Sequence, residues 1–117
     1  MDFNAEIAAH LHWKIKLRMF INGAGENLDR AVVGQDNQCS LGRWLYGEGL
    51  KYQHHVAYQT LLKKHTRFHQ HAAEVVQKME QGDSKKAAEL IGINSPFQKE
   101  SLEISLAIEA LKKVVSS

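Results

Sequence analysis

The chain has 117 residues, 44% of them apolar and 24% charged, and fifteen basic against thirteen acidic residues leave a net charge of +2. This suits one soluble globular domain, 1–117, and excludes a disordered or fibrous chain; the near-balanced charge excludes the basic footprint of a nucleic-acid binder. No apolar run approaches the roughly 18 residues of a membrane span, so no membrane contact is expected, and a lone cysteine, Cys39, cannot close an internal disulfide, which fits a reducing cytoplasm and leaves the thiol for metal or redox chemistry.

From Asp2 to about Asn22 there is no glycine or proline, and Phe3, Ile7, His10, Trp13, Leu17, Phe20 and Ile21 recur at helical spacing. A second strip, Ala8, Leu11, Ile15 and Met19, widens the apolar face and predicts a contact with two neighbours or with a partner chain. Gly23 and Gly25 end this helix. Leu28, Ala31, Val32 and Val33 predict a short helix closed by Gly34, and Ser40 is read as the N-cap of a turn or two of helix through Tyr46. Cys39 then stands at or just before a helix N-terminus, where free N–H groups favour a thiolate.

After Gly47-Glu48-Gly49, a long helix is predicted from about Gln53 to Glu80, with Tyr58, Leu61, Leu62, His65, Phe68, His69, Ala72, Val76 and Met79 on one stripe and Gly82 as its stop. Ser84 to Leu90 and Pro96 to Val115 form the last helical stretch, either as two helices or as one kinked helix, with Pro96 placed at a first helical position. Leu102, Ile104, Leu106, Ile108, Leu111, Val114 and Val115 are assigned to its buried side. Without strand alternation anywhere, the expected fold is all-α, a four-helix bundle with an additional short helix after the cysteine.

Helical phase sorts the seven histidines. Residues i and i+4 lie on one face with Cβ atoms about 6 Å apart, so His65 and His69 can present nitrogens to one ion, and both fall in the middle of the apolar stripe. His71 points to the flank. On the first helix, His10 is in register with Phe3, Ile7, Leu17 and Ile21, whereas His12 points nearly the opposite way. Three inward imidazoles and a cysteine would leave many buried polar groups in need of partners, and one shared ion satisfies all of them. Zinc suits a set of neutral imidazoles and a thiolate, with copper(I) as the weaker alternative, and four protein ligands leave no position for an activated water. A di-iron bundle would want inward carboxylates three residues before inward histidines, which are lacking.

The segments His10-Leu11-His12-Trp13-Lys14, Cys39-Ser40-Leu41-Gly42-Arg43-Trp44-Leu45-Tyr46-Gly47-Glu48-Gly49 and His65-Thr66-Arg67-Phe68-His69 occur in that order and resemble the signatures of the chemoreceptor zinc-binding domain. The resemblance implies a cytoplasmic bacterial regulatory module attached to chemoreceptors or diguanylate cyclases, holding zinc through His10, Cys39, His65 and His69. It further implies a response to zinc or to oxidants such as hypochlorous acid. Trp13 and Trp44 resemble family positions and are read as packing residues around the site. Arg43 and Lys14 are candidates for lowering the thiol pKa, and Glu48 for orienting an imidazole.

The expected function is therefore a zinc-binding sensory domain in signal transduction with no catalysis of its own. It is expected to form a homodimer through the second strip of the first helix, with a receptor signalling or cyclase output domain as partner. The competing readings are a metal-dependent redox enzyme, whose open site would hold a water or substrate on the ion, and a metal-free interaction bundle.

Overall fold

The computed structural model describes Met1 to Ser117 and is all-α. Its helices are α1 (Phe3–Ile21), α2 (Arg30–Val33), α3 (Ser40–Leu45), α4 (Val56–Glu80), α5 (Ser84–Leu90) and α6 (Pro96–Ser116), with a 3₁₀ turn over Glu48–Tyr52 between α3 and α4. Four of them, α1, α4, α5 and α6, pack against one another as the bundle, and α2 lies on α4. The last helical stretch is thus two helices, and α3 is the short helix that follows the cysteine.

Local chemistry sets the ends. Asp2 accepts from the Ala5 N–H at 3.0 Å, Asp83 from Lys86 at 3.0 Å and the Ser95 hydroxyl from Gln98 at 3.1 Å, each satisfying a first-turn donor that no carbonyl can reach. At the other end of α1, Gly23 adopts φ +76°, which lets the N–H groups of Gly23 and Ala24 fold back onto the carbonyls of Phe20 and Met19. Gly82, at φ +77°, closes α4 in the same way.

The core is centred on α4 and α6. Phe68 and Phe97 meet at 5.1 Å between ring centroids, surrounded by fully buried Leu17, Leu61, Ile91, Ile104, Ile108 and Leu111. Across the rim of the same contact, Lys64 pairs with Glu103.

Several expectations are corrected. Leu102 and Leu106 are exposed, at 62% and 63%, because each lies two residues from Ile104 and a two-residue step turns about 200° around the helix. On α1, Leu11, Ile15 and Met19 are also exposed, so of the two contacts expected of the second strip the one with neighbouring helices of this chain is not made. α4 begins at Val56 rather than Gln53, since Lys51 and Tyr52 belong to the 3₁₀ turn and His55 takes the cap position. The N-cap of α3 is Cys39 itself; Ser40 is its first helical residue.

Candidate metal centre

Three segments deliver four donor atoms to one point. His10 comes from the middle of α1, Cys39 from the N-cap of α3, and His65 and His69 from successive turns of α4. Their ligand atoms all lie within 4.8 Å of one another. His65 Nε2 and His69 Nε2 are 3.1 Å apart, and Cys39 Sγ lies 3.2 Å from His65 Nε2, 3.6 Å from His69 Nε2 and 3.9 Å from His10 Nε2.

The separations among Cys39, His65 and His69 fit a tetrahedral ion, and His10 completes the set from slightly farther out. Bonds of about 2.0 to 2.1 Å to nitrogen and about 2.3 Å to sulfur give edges of about 3.3 Å between nitrogens and about 3.6 Å between nitrogen and sulfur. Backbone carbonyls fix the tautomers. His10 Nδ1 donates to the Glu6 carbonyl at 2.7 Å and His69 Nδ1 to the Val33 carbonyl at 2.9 Å, so on both rings the bare nitrogen is Nε2, facing the centre. His65 differs, because its Nδ1 is buried without a partner and its ring is held by packing against His10, at 5.2 Å, and His69, at 4.6 Å. Lone pairs converging on one largely buried point repel unless a proton or a cation lies between them, and this donor set has the composition that zinc takes.

The electrostatics agree. Burial drives His10 from 6.5 down to about 4, with the bond to Glu6 pulling the other way, and drives His65 down to about 2, with His69 and His10 adding to the effect. His69 is also lowered by burial, against the opposing pull of the Val33 carbonyl and Asp36. All three are kept as neutral imidazoles, the form that binds metal. Burial likewise pushes the Cys39 thiol up, outweighing the Gly42 N–H that points at Sγ from 3.4 Å, and the nearby Glu6 carboxylate pushes the same way. The helix N-terminus alone therefore does not produce a thiolate here. A bound cation supplies the missing positive charge.

A pH dependence follows for the metal-free chain. These imidazoles titrate below 6.5 when folded, so as pH falls past 6.5 the unfolded chain takes up protons first. Stability present above that value is then lost toward pH 4, at about 1.4 kcal/mol per pH unit for each histidine. Urea midpoints measured at pH 7.5, 6 and 5 are expected to fall progressively, and a flat profile would contradict buried neutral rings.

The run Leu41-Gly42-Arg43-Trp44 after Cys39 packs the cysteine segment onto the bundle. Leu41 and Leu45 are fully buried, and Tyr58 donates its hydroxyl to the Leu45 carbonyl at 2.5 Å. A Cβ on Gly42 would lie 1.7 Å from the Asp36 carbonyl oxygen, so the loop before the cysteine can close onto α3 only over a glycine. Trp44 packs edge-on against Phe3 at 5.4 Å and stacks on Tyr52 at 6.1 Å, while Trp13 meets the His69 ring at 6.3 Å. Arg43 and Glu48 are exposed, neither in an ion pair. Lys14 is half-buried on α1. His12, His54 and His55 are exposed and His71 half-buried, all outside the cluster.

Sequence reasoning missed two carboxylates. Glu6 is 8% exposed, one turn before His10 on the same face; its i, i+4 spacing was a usable signal. Asp36 accepts from Tyr46 Oη at 2.7 Å and from Thr66 Oγ1 at 2.6 Å, joining residues 10 and 30 positions away, for which no local pattern exists. Tyr46 is pushed up to about 12, by desolvation first and by this carboxylate next.

No curated protein and no solved structure matches the chain. The sequence model of the chemoreceptor zinc-binding domain matches residues 10–76, a span that begins at one ligand and holds the other three, and so the chain belongs to the chemoreceptor zinc-binding domain family.

Proposed function

We propose that the protein is a cytoplasmic sensory domain of bacterial signalling, without catalysis of its own, whose signal is the occupancy or the oxidation state of the His10, Cys39, His65 and His69 centre. The observation that carries this reading is the convergence of four protein donors from three separate segments. Four such donors complete a tetrahedron and leave no site for an activated water, which disfavours the open-site redox enzyme, and a metal-free bundle would have only the protons of His65 and Cys39 to place among four converging donors. No helix is long and apolar enough to cross a membrane.

When bound, zinc supplies the charge that holds Cys39 as a thiolate and ties α1, the Cys39 segment and α4 together. The thiolate sulfur remains a nucleophile. Attack on hypochlorous acid gives the sulfur a hydroxyl group and two fewer electrons, converts the thiolate to sulfenic acid and releases chloride. The oxidised sulfur is a poor ligand, so the Cys39 segment is freed to repack and to alter a receptor or cyclase output domain. Protein purified without chelator is expected to carry one zinc per chain. Stoichiometric hypochlorous acid should release it to a colorimetric chelator, and a chain carrying no zinc would sink the reading.

The exposed strip of Leu11, Ile15 and Met19 on α1, where Leu11 lines one groove with the exposed Leu102 of α6, supports a homodimer, since an apolar surface of this kind on a small bundle favours association. Leu11→Asp combined with Ile15→Asp is expected to convert dimer to monomer in light scattering while leaving zinc content unchanged. A wild type already monomeric at high micromolar concentration would exclude this interface.

A further inference from the structure

We infer that Asp36 is a positioning residue for the sulfur ligand: it fastens the Cys39 segment to α4, so that the thiol meets the imidazoles of α4 already aligned. The inference rests on the metal-centre reading above and concerns a residue outside the donor set.

The Asp36 side chain bridges two elements. Its Oδ2 accepts from Tyr46, the residue that caps the C-terminal end of α3, and from Thr66, which follows His65 directly on α4. The Thr66 hydroxyl also lies 3.0 Å from the Leu62 carbonyl, but it has one proton, and the shorter 2.6 Å contact to a charged acceptor is the one that proton favours. The main chain of Asp36 makes the third connection. Its carbonyl sits where a side chain on Gly42 would be, and the Gly42 N–H is the group directed at Sγ.

Leu41 and Leu45 already bury α3, but apolar burial is non-directional and leaves a six-residue helix free to rotate or slide by fractions of a turn. Hydrogen bonds to a carboxylate fix that freedom, because they are short and directional. Asp36 thus touches one end of α3 through Tyr46, its first turn through Gly42, and the ligand helix through Thr66, while Cys39 is the cap of that same first turn. The sulfur is therefore aligned by the protein before any ion arrives.

The test uses the full chain and cobalt(II) as probe, with zinc competition against a chelator as a second readout. Asp36→Ala is expected to weaken zinc binding by about ten- to hundredfold and to reduce the thiolate-to-cobalt charge-transfer band per bound cobalt. Asp36→Asn keeps an oxygen that can accept from both hydroxyls, and it should restore most of the band and the affinity. A role confined to general stability would lower the unfolding temperature of the metal-free chain and leave the band of the folded protein intact. That outcome overturns the inference, as does wild-type affinity in Asp36→Ala or an Asn variant as weak as Ala. Should Asp36→Ala fail to fold, Tyr46→Phe with Thr66→Val removes both donors at nearly constant volume and is judged by the same criteria. A wild type that takes up neither cobalt nor zinc refutes the metal centre itself, whereas a wild type that binds and a variant that binds equally well refute only Asp36.

Discussion

Cys39→Ala is expected to bind zinc about two to three orders of magnitude more weakly than the wild type. Structural zinc in small domains is held by roughly 10 to 16 kcal/mol, so one donor of four accounts for about 2.5 to 4 kcal/mol, and each 1.4 kcal/mol is a factor of ten. Cysteine is also the only donor here that becomes negatively charged, and so the loss should fall at the upper end. Competition titrations against a chelator of known affinity would measure it. His10→Ala, His65→Ala and His69→Ala are expected to follow, whereas His12→Ala and His71→Ala, whose side chains lie outside the cluster, should stay within about twofold. Equal affinity in Cys39→Ala and wild type would remove the sulfur from the site.

Gly42→Ala should be the most damaging single methyl group in the chain. The added carbon would lie 1.7 Å from the Asp36 oxygen, 2.8 Å from its carbonyl carbon and 3.0 Å from the Asn37 Cα, all of it main chain that cannot swing aside. Either the loop lifts from α3 or α3 moves, and both separate Sγ from the Gly42 N–H and from the imidazoles. A loss of about 3 to 5 kcal/mol in denaturant unfolding is expected, in the range reserved for such clashes. Gly92→Ala is the control, because its nearest neighbours would be carbonyl oxygens at 3.5 and 3.6 Å, ordinary contact distances, and its effect should stay within about 1 kcal/mol. Similar midpoints for the two variants would show that the loop before Cys39 adapts easily.

Much of this site was legible because helices convert spacing into direction. His10 and His12 are two residues apart and on opposite sides of α1, and the structure buries the first and exposes the second. His65 and His69 were separable from His71 on the same ground. The failures have physical causes of equal simplicity. Leu102 and Leu106 are apolar, yet helical phase turns them away from the stripe of Ile104, Ile108 and Leu111. His55 caps α4 with no side-chain bond, so no favoured cap residue marked the boundary, and a cysteine is not among the residue types that usually cap a helix such as α3. The thiolate expectation weighed the helix N-terminus without the burial that opposes it, and burial is a tertiary quantity. Asp36 belongs to the same class: its partners are brought to it by the fold, and nothing in its own neighbourhood announces them.

The position of Cys39 along the chain has a consequence of its own. It lies 29 residues after His10 and 26 before His65, so a shared ion closes two consecutive loops that meet at the sulfur. By chain-entropy reasoning each closure is worth about 3.6 kcal/mol, while a single loop running from His10 to His65 is worth about 4.2 kcal/mol, because the cost of closing a loop grows only logarithmically with its length. Detaching the sulfur alone therefore forfeits about 3 kcal/mol of constraint, all of it in the segment between α1 and α4. The two helices stay clasped by their imidazoles, and the polypeptide slack that appears is confined to the connection that carries α2, α3 and the 3₁₀ turn.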